Sequence, residues 1–173
     1  ADAIVYDHLV GNGIMDLARS DARLIYAGKE SSKHTMPQDD INQLLVTLAR
    51  EGLSVVRLKG GDPFIFGRGG EEVEHLRSAG VQVEVVNGIT SGLAAATALG
   101  VPWTHRDHAH GVMLVTGHAR DGAAGLHWPT LGAAAAQGLT LVVYMGMAHL
   151  AELQAGLRAT MPGSTPAAVV QSA

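Results

Sequence analysis

The sequence contains no cysteine and few charged or aromatic residues, and each absence excludes a class of protein. Without cysteine there is neither a disulfide scaffold nor a thiolate metal site, and we therefore expect a cytoplasmic protein. Only 16% of the 173 residues are charged while 47% are hydrophobic, so the chain is not disordered and can bury a core. The formal net charge of −4 argues against broad binding to nucleic acid or to an anionic membrane.

Long apolar runs are also absent. None approaches the roughly 18 residues of a membrane-spanning helix, and no basic segment precedes a short apolar stretch as in a signal peptide. Both ends of the sequence fall in apolar segments typical of strands, at 3–6 and 167–170. Because an unpaired terminal strand needs a partner, we expect this to be the middle of a longer protein, truncated at both ends.

Glycine is in excess, at 22 of 173 residues. An average protein contains roughly 7% glycine, so this content is nearly double, and it has no collagen-like period. In a globular chain, such an excess indicates tight turns and places where the backbone approaches a ligand closely.

Short apolar runs alternate with helical patterns, which is typical of an α/β fold with a mostly parallel sheet. The sequence predicts strands at 2–6, 23–27, 53–58, 82–86, 112–116, 139–144 and 166–170. It predicts helices near 12–19, 38–51, 70–79, 90–98 and 148–159, and a surface loop with one helical stretch over 117–138. A change of composition after His108 predicts an N-terminal α/β domain at 1–108 and part of a second α/β domain at 109–173.

The most informative stretch is 55–72, where a buried strand runs into Gly60, Gly61 and Asp62 and then into a helix. Ligands of open α/β sheets bind at the carboxyl ends of strands. Asp62 can accept a hydrogen bond from an amine or a ribose hydroxyl, and Glu71 and Glu72 are expected in the first helical turn. The alternative is an ordinary strand-to-helix turn. The spacing matches neither a P-loop nor the dinucleotide fingerprint.

The run Gly-Gly-Asp-Pro-Phe-Ile-Phe-Gly-Arg-Gly-Gly-Glu-Glu at 60–72 resembles the signature of uroporphyrinogen-III C-methyltransferases, within the tetrapyrrole methylase family. Similar segments follow the family's order at 6–10, 28–29, 38–43, 88–91, 100–106, 115–118 and 144–147. Together they extend over nearly the whole chain. The resemblance implies the class III methyltransferase fold, in which two α/β domains enclose a cofactor cleft, and a homodimer.

The resemblance further implies that S-adenosylmethionine is the cofactor, leaving as S-adenosylhomocysteine, and that no metal is required. The residues that match the family's cofactor contacts are Gly60, Gly61, Asp62, Ile65, Thr90, Ser91, Met145 and Ala173. The first turn of a helix beginning near Thr90 would offer free backbone donors to a carboxylate.

Two residues match the family's catalytic positions, Asp7 and Lys29. From the residue alone, an aspartate that ends a strand is more often a turn or N-cap residue. The resemblance favours a role for Asp7 as a general base or as an electrostatic partner of developing positive charge. Lys29 would then donate a proton or hold a substrate carboxylate.

The implied substrate is uroporphyrinogen III, methylated at two ring carbons to give precorrin-2 for sirohaem and cobalamin synthesis. This tetrapyrrole is rich in carboxylates, so Arg68, His105 and Arg106 are candidate substrate contacts. Alternatively, Arg68 braces the glycine loop. His105, His108 and His110 cluster in the sequence, but without cysteine or a helical His-x-x-x-His spacing they do not predict a zinc site.

Other hypotheses about the function stay open at this point. The chain could be another tetrapyrrole methylase acting on a different precorrin, on RNA or on a modified histidine, or a non-catalytic ligand-binding module. The full 60–72 run and the acidic net charge favour uroporphyrinogen III as the substrate.

Overall fold

The computed structural model describes residues 1–28, 36–118 and 125–171, and the chain divides into two compact units, Ala1–Thr90 and Ser91–Ala173. The sequence predicts a domain boundary later, after His108. The helices are numbered α1 to α5 along the chain. The two boundaries differ because α3 (Ser91–Leu99) packs against a strand of the second unit. The predicted boundary therefore stays a prediction.

The first unit contains a parallel sheet of three strands in the order β2-β1-β3. The strands are β1 (Ala3–Tyr6), β2 (Arg23–Tyr26) and β3 (Val55–Arg57), joined through a 3-10 helix at Asn12–Leu17 and through α1 (Gln38–Arg50). A further helix, α2 (Gly69–Ser78), follows β3. Because both strand pairs are parallel, all carboxyl ends lie at one edge of the sheet, which brings the loops after β1 and β3 together.

The core of the first unit lies between this sheet and α1. Val5 of β1 is fully buried, and α1 contributes Ile41, Leu45 and Leu48, which recur at helical spacing on one face. The helix ends at Arg50, within one residue of the predicted end, and Gly52 just past it has a φ of +80°, the left-handed conformation that glycine adopts readily. The predicted amphipathic helix is thus confirmed.

The second unit is also of the α/β type. In the described residues it contains α3, β4 (Gly111–Thr116), α4 (Trp128–Ala135), β5 (Leu139–Tyr144), a 3-10 helix (Met147–His149) and α5 (Leu150–Arg158). β4 and β5 pair in parallel along their whole length. Trp128 is buried, and it packs so closely on Gly156 of α5 that a side chain at Gly156 would collide with it.

Two predicted strands, 82–86 and 166–170, are wrong: in the described part of the chain neither segment is a strand. Residues 82–86 alternate between exposed and half-buried, as an extended segment does, but a strand also requires ladder hydrogen bonds to a partner. Residues 166–170 are exposed throughout. The predicted helix at 12–19 is the shorter 3-10 helix. No described helix is long and apolar enough to cross a membrane.

Candidate functional site

The glycine loop begins directly after β3. The Leu58 N–H still donates to the Val5 carbonyl oxygen at 2.8 Å, which extends the contact between β3 and β1 into the loop. Gly60 then lies against the carbonyl oxygen of Leu9, where any Cβ would collide with it. The next residue, Gly61, has a φ of +80°. The sequence therefore needs glycine here for two physical reasons, close approach of another loop and a left-handed backbone.

Asp62 fixes the shape of this loop. Its Oδ1 accepts the Phe64 N–H at 2.9 Å and its Oδ2 accepts the Gly88 N–H at 3.1 Å. The sequence predicts that this carboxylate accepts hydrogen bonds from a ligand. In the structure both oxygens already accept backbone donors, so Asp62 holds the loop against the segment that leads to α3.

Asp7 lies at the carboxyl end of β1 and is held from two sides. Its Oδ1 accepts the Leu9 N–H at 3.0 Å, and its Oδ2 pairs with Arg57 Nη2 at 3.2 Å. The register Val5 opposite Arg57 brings the arginine beside it. The Asp7 side chain is 18% exposed. Asp7 is thus a turn residue and also an ion-paired carboxylate that solvent can reach.

A buried ionic cluster next to Asp7 is absent from the sequence predictions. Glu72, whose side chain is only 5% exposed, receives three donors on Oε1: Gln38 Nε2 at 3.1 Å, Arg57 Nε at 3.2 Å and Lys59 Nζ at 3.1 Å. Burial, followed by the charge of Arg57, lowers the pKa of Lys59, although Glu72 opposes the shift. Glu72 does lie in the first turn of α2, as predicted, but it faces inward to this cluster.

A signal for the cluster exists in the sequence. Arg57 and Lys59 interrupt the apolar run of β3 and its continuation, and a cation at such a place needs a buried partner. Glu72 could have been proposed on that ground, although its identity as the partner depends on how α2 packs.

The remaining predicted cofactor contacts that the structure describes lie in the glycine loop or at element ends. Ile65 is half-buried in the glycine loop, Thr90 immediately precedes α3, and Ser91 is its first residue. Met145 follows β5 with a φ of +54° and a side chain that is 56% exposed. Two predicted site residues, Lys29 and Ala173, lie outside the described residues.

Arg68 has a left-handed backbone, φ +57°, directly before α2. Its guanidinium makes two parallel contacts with Glu71, Nε to Oε1 at 2.9 Å and Nη2 to Oε2 at 2.6 Å, and the hydrogen bond to Glu71 raises the pKa of Arg68. Both side chains are 55% exposed. The pairing supports a bracing role, and the exposure leaves the guanidinium reachable for an anionic ligand.

His105 and Arg106 belong to a tight turn of the second unit. The backbone of His105 pairs with Ala109, and its ring stacks on that of His108 with centroids 4.6 Å apart. His105 Nδ1 also accepts the Asp107 N–H at 3.1 Å, while Arg106 is exposed. No cluster of three or more His, Asp or Glu residues that could hold a metal ion occurs in the described ranges. The substrate role of His105 and Arg106 stays a prediction.

The chain is similar to several curated proteins. Siroheme synthase of Nitrosospira multiformis is 55% identical over 172 residues, and siroheme synthase of Methylococcus capsulatus is 54% identical over 173 residues. Each match covers 99% of this chain but only 36% of the relative. The chain therefore spans a little over a third of the length of these relatives.

Solved structures share the fold. The structure of uroporphyrin-III C-methyltransferase from Thermus thermophilus complexed with S-adenyl homocysteine has a TM-score of 0.72 at 38% identity, and the match covers 92% of this chain and 65% of that one. A cobalt precorrin-4 methyltransferase, at 23% identity and a TM-score of 0.76, is similar in fold alone, over 92% of this chain and 64% of that one. The class III methyltransferase fold predicted from the sequence is confirmed.

The family comparison extends over the full length. The model described as tetrapyrrole (corrin/porphyrin) methylases matches residues 1–173. This match includes the loop at 60–62 and the carboxyl end of β1, where the structure brings Gly60 against Leu9 and Arg57 against Asp7. The chain belongs to the tetrapyrrole methylase family.

Proposed function

We propose that this chain transfers methyl groups from S-adenosylmethionine to two ring carbons of uroporphyrinogen III, giving precorrin-2 for sirohaem synthesis and, by the same product, for cobalamin synthesis. The observation that carries the proposal is the juxtaposition of the glycine loop with the Asp7 turn, through Gly60 against Leu9, at the carboxyl edge of the first sheet. The siroheme synthase relatives and the structure containing S-adenyl homocysteine support it.

The residues of the loop fit such a cofactor. Gly60 and Gly61 add no side chains that would keep a ligand away from the backbone of the loop, and the two hydrogen bonds of Asp62 fix the loop in position. We assign the backbone groups of 60–62 and Ile65 to cofactor binding. The bound cofactor supplies a methyl group already activated by its positively charged sulfur.

Three further residues complete the proposed cofactor contacts in the described part of the chain. Thr90 and Ser91 stand at the N-terminal end of α3, where the helix dipole favours a negative charge such as the cofactor's carboxylate. Met145, with its exposed thioether, is assigned to the adenosine. Lys29 and Ala173 keep the roles that the resemblance implies.

In this proposal Asp7 is the catalytic carboxylate. It is held by the Leu9 N–H and by Arg57, yet partly exposed, so it can take the proton that leaves another position of the ring system after methylation, or stabilise positive charge on the ring. Arg68, His105 and Arg106 are assigned to the substrate carboxylates. Positioning supplies most of the acceleration, because the methyl donor needs no further activation.

The test is anaerobic incubation of the purified protein with S-adenosylmethionine and uroporphyrinogen III, with the product mass as the readout. A gain of two methyl groups is expected, and Asp7→Asn should lose it while still binding S-adenosylhomocysteine. Binding of S-adenosylhomocysteine without a gain of methyl groups would indicate that the acceptor is a different precorrin, which would then be tried in the same assay. Binding without transfer to any tetrapyrrole would instead indicate a ligand-binding module.

We also propose a homodimer, as the resemblance implies. Sedimentation velocity over a range of protein concentrations tests this directly. A mass of one chain at all concentrations would contradict it.

A further inference from the structure

The guanidinium of Arg57 is the most fully engaged cation in the described residues of the first unit. Nε donates to Glu72 Oε1 at 3.2 Å, and Nη2 donates to Asp7 Oδ2 at 3.2 Å. Nη1 donates to two main-chain oxygens, that of Leu58 at 2.9 Å and that of Val5 at 3.4 Å. The side chain is only 13% exposed. A planar fork with acceptors on every side has one orientation available to it.

This orientation depends on Glu72. The two carbonyl oxygens belong to the sheet and to its continuation and would accept from Nη1 in several poses. Glu72 accepts from Nε, a different nitrogen from the Nη2 that contacts Asp7, and it is itself held by Gln38 and Lys59. Lys59 also balances the charge, since two cations and two carboxylates make the cluster neutral in total.

The Asp7 carboxylate has few other constraints. Its Oδ1 accepts the N–H of Leu9, two residues along the same turn, which limits but does not fix rotation of the carboxylate. The contact that comes from a separate element is Arg57 Nη2, carried by β3. Displacing this nitrogen would let the carboxylate turn away from β3.

We propose that Arg57 and Glu72 form a positioning relay that fixes the Asp7 carboxylate for its part in methyl transfer. Neither residue is assigned to the substrate or the cofactor: Glu72 orients Arg57, and Arg57 orients Asp7. The catalytic role of Asp7 in this relay rests on the proposed function. The geometric part of the relay, in which Glu72 controls Asp7 through Arg57, is independent of the proposed function.

The kinetic test uses Arg57→Lys, which keeps the charge but replaces the rigid planar fork by one ammonium on a flexible stem, so that Asp7 and Glu72 are no longer held by separate nitrogens of one plane. Turnover should fall by roughly tenfold to a hundredfold, the scale expected for a misplaced catalytic group, while KM for S-adenosylmethionine stays within about twofold. Glu72→Gln should act in the same direction, and Glu74→Gln, the same change on the exposed face of α2, is the matched control. Any residual turnover of Asp7→Asn should not fall further when Arg57→Lys is added.

Wild-type turnover in Arg57→Lys would show that charge alone is needed, and a changed KM with unchanged kcat would make Arg57 a binding residue; either result overturns the relay. Thermal melting first establishes which variants are folded. If Arg57→Lys does not fold, the relay is tested by comparing the kcat of Glu72→Gln with the kcat of Glu74→Gln.

A second readout is independent of activity. The ¹³C signal of the Asp7 side-chain carboxyl, identified by its loss in Asp7→Asn, should move in Arg57→Lys and in Glu72→Gln and stay in place in Glu74→Gln. If the wild-type protein transfers no methyl group, the proposed function fails and this signal still decides the relay. An unmoved signal in a folded Glu72→Gln variant overturns it.

Discussion

The carboxylate of Asp62 accepts the backbone N–H of Gly88 at 3.1 Å, across 26 positions in the chain. The same carboxylate accepts the Phe64 N–H within its own loop. One side chain therefore connects the glycine loop to the segment that leads to Thr90 and Ser91. Within the first unit, the glycine loop and the segment before Thr90 thus depend on one residue for their relative position.

Replacing Asp62 by alanine should abolish measurable binding of S-adenosylhomocysteine. Two backbone donors lose a charged acceptor, each such hydrogen bond being worth about 1.5–3 kcal/mol, and the loop loses its link to Gly88. Asp62→Asn keeps one acceptor oxygen and should bind with intermediate affinity. Isothermal titration calorimetry measures both variants, and near-normal affinity in Asp62→Ala would remove the loop from the cofactor site.

Gly60→Ala and Gly70→Ala should change stability in opposite directions. A methyl group at Gly60 meets the carbonyl oxygen and the Cβ of Leu9, so the loops must separate, at a cost of about 1–3 kcal/mol. At Gly70, in the first turn of α2, a methyl group meets nothing within 4 Å, and alanine should stabilise by about 0.5 kcal/mol because it restricts the unfolded chain.

Urea unfolding of the two variants tests this contrast, with Gly70→Ala as the internal control for the substitution itself. The Gly60→Ala variant should also lose affinity for S-adenosylhomocysteine. A Gly60→Ala protein as stable as the wild type would mean that the two loops are not in contact.

The order of strands and helices could be predicted because it depends on local patterns. The apolar face of α1 repeats at helical spacing, and Gly52 marks its end; both are visible without knowing any partner. The segment 82–86 shows the limit of such patterns. Its alternation is that of a strand, but pairing depends on a neighbour that the local sequence does not specify.

The site likewise has one part that local sequence predicts and one part that depends on contacts between distant segments. The glycine loop was predictable because its chemistry is contiguous in sequence, from Gly60 to Asp62. The contacts of Arg57 were not, because they depend on the register that sets Val5 opposite Arg57 and on the face that α2 turns toward the sheet. A glutamate in the first turn of a helix, such as Glu72, is ordinarily explained by the helix dipole. That explanation gives no reason to expect a buried partner for its side chain.

Lys59 should make stability depend on alkaline pH. Its pKa is lowered by burial first and then by Arg57, from an ordinary value of 10.5. Between the lowered pKa and 10.5 the unfolded chain keeps the proton that the folded protein has released, so the free energy of unfolding gains a contribution that rises with pH. Below this window Lys59 is charged in both states and that contribution is absent.

The measurement is the difference in unfolding free energy between the wild type and Lys59→Met, followed from neutral pH towards pH 10.5. The difference, wild type minus variant, should increase as the pH rises. Lys59→Arg, which stays charged throughout, should lack the increase. A difference that falls with pH would mean that Glu72 outweighs burial and raises the pKa of Lys59.

Arg68→Gly should separate the two roles left open for this residue. Glycine removes the strain of a left-handed φ, about 1 kcal/mol, and loses an exposed ion pair worth about 1 kcal/mol or less, so stability should change by no more than about 1 kcal/mol. If the guanidinium binds a substrate carboxylate, KM for the tetrapyrrole should rise roughly tenfold, as expected for one lost charged hydrogen bond.

Glu71→Gln is the control variant for the KM measured with Arg68→Gly. It weakens the same ion pair while it leaves the Arg68 guanidinium in place. If Arg68 binds substrate, only Arg68→Gly raises KM. If Arg68 braces the loop, both variants weaken binding of S-adenosylhomocysteine in parallel, because the loop then depends on the pair and not on the cation alone. Steady-state kinetics with varied tetrapyrrole, together with calorimetry, distinguish these outcomes in one set of two proteins.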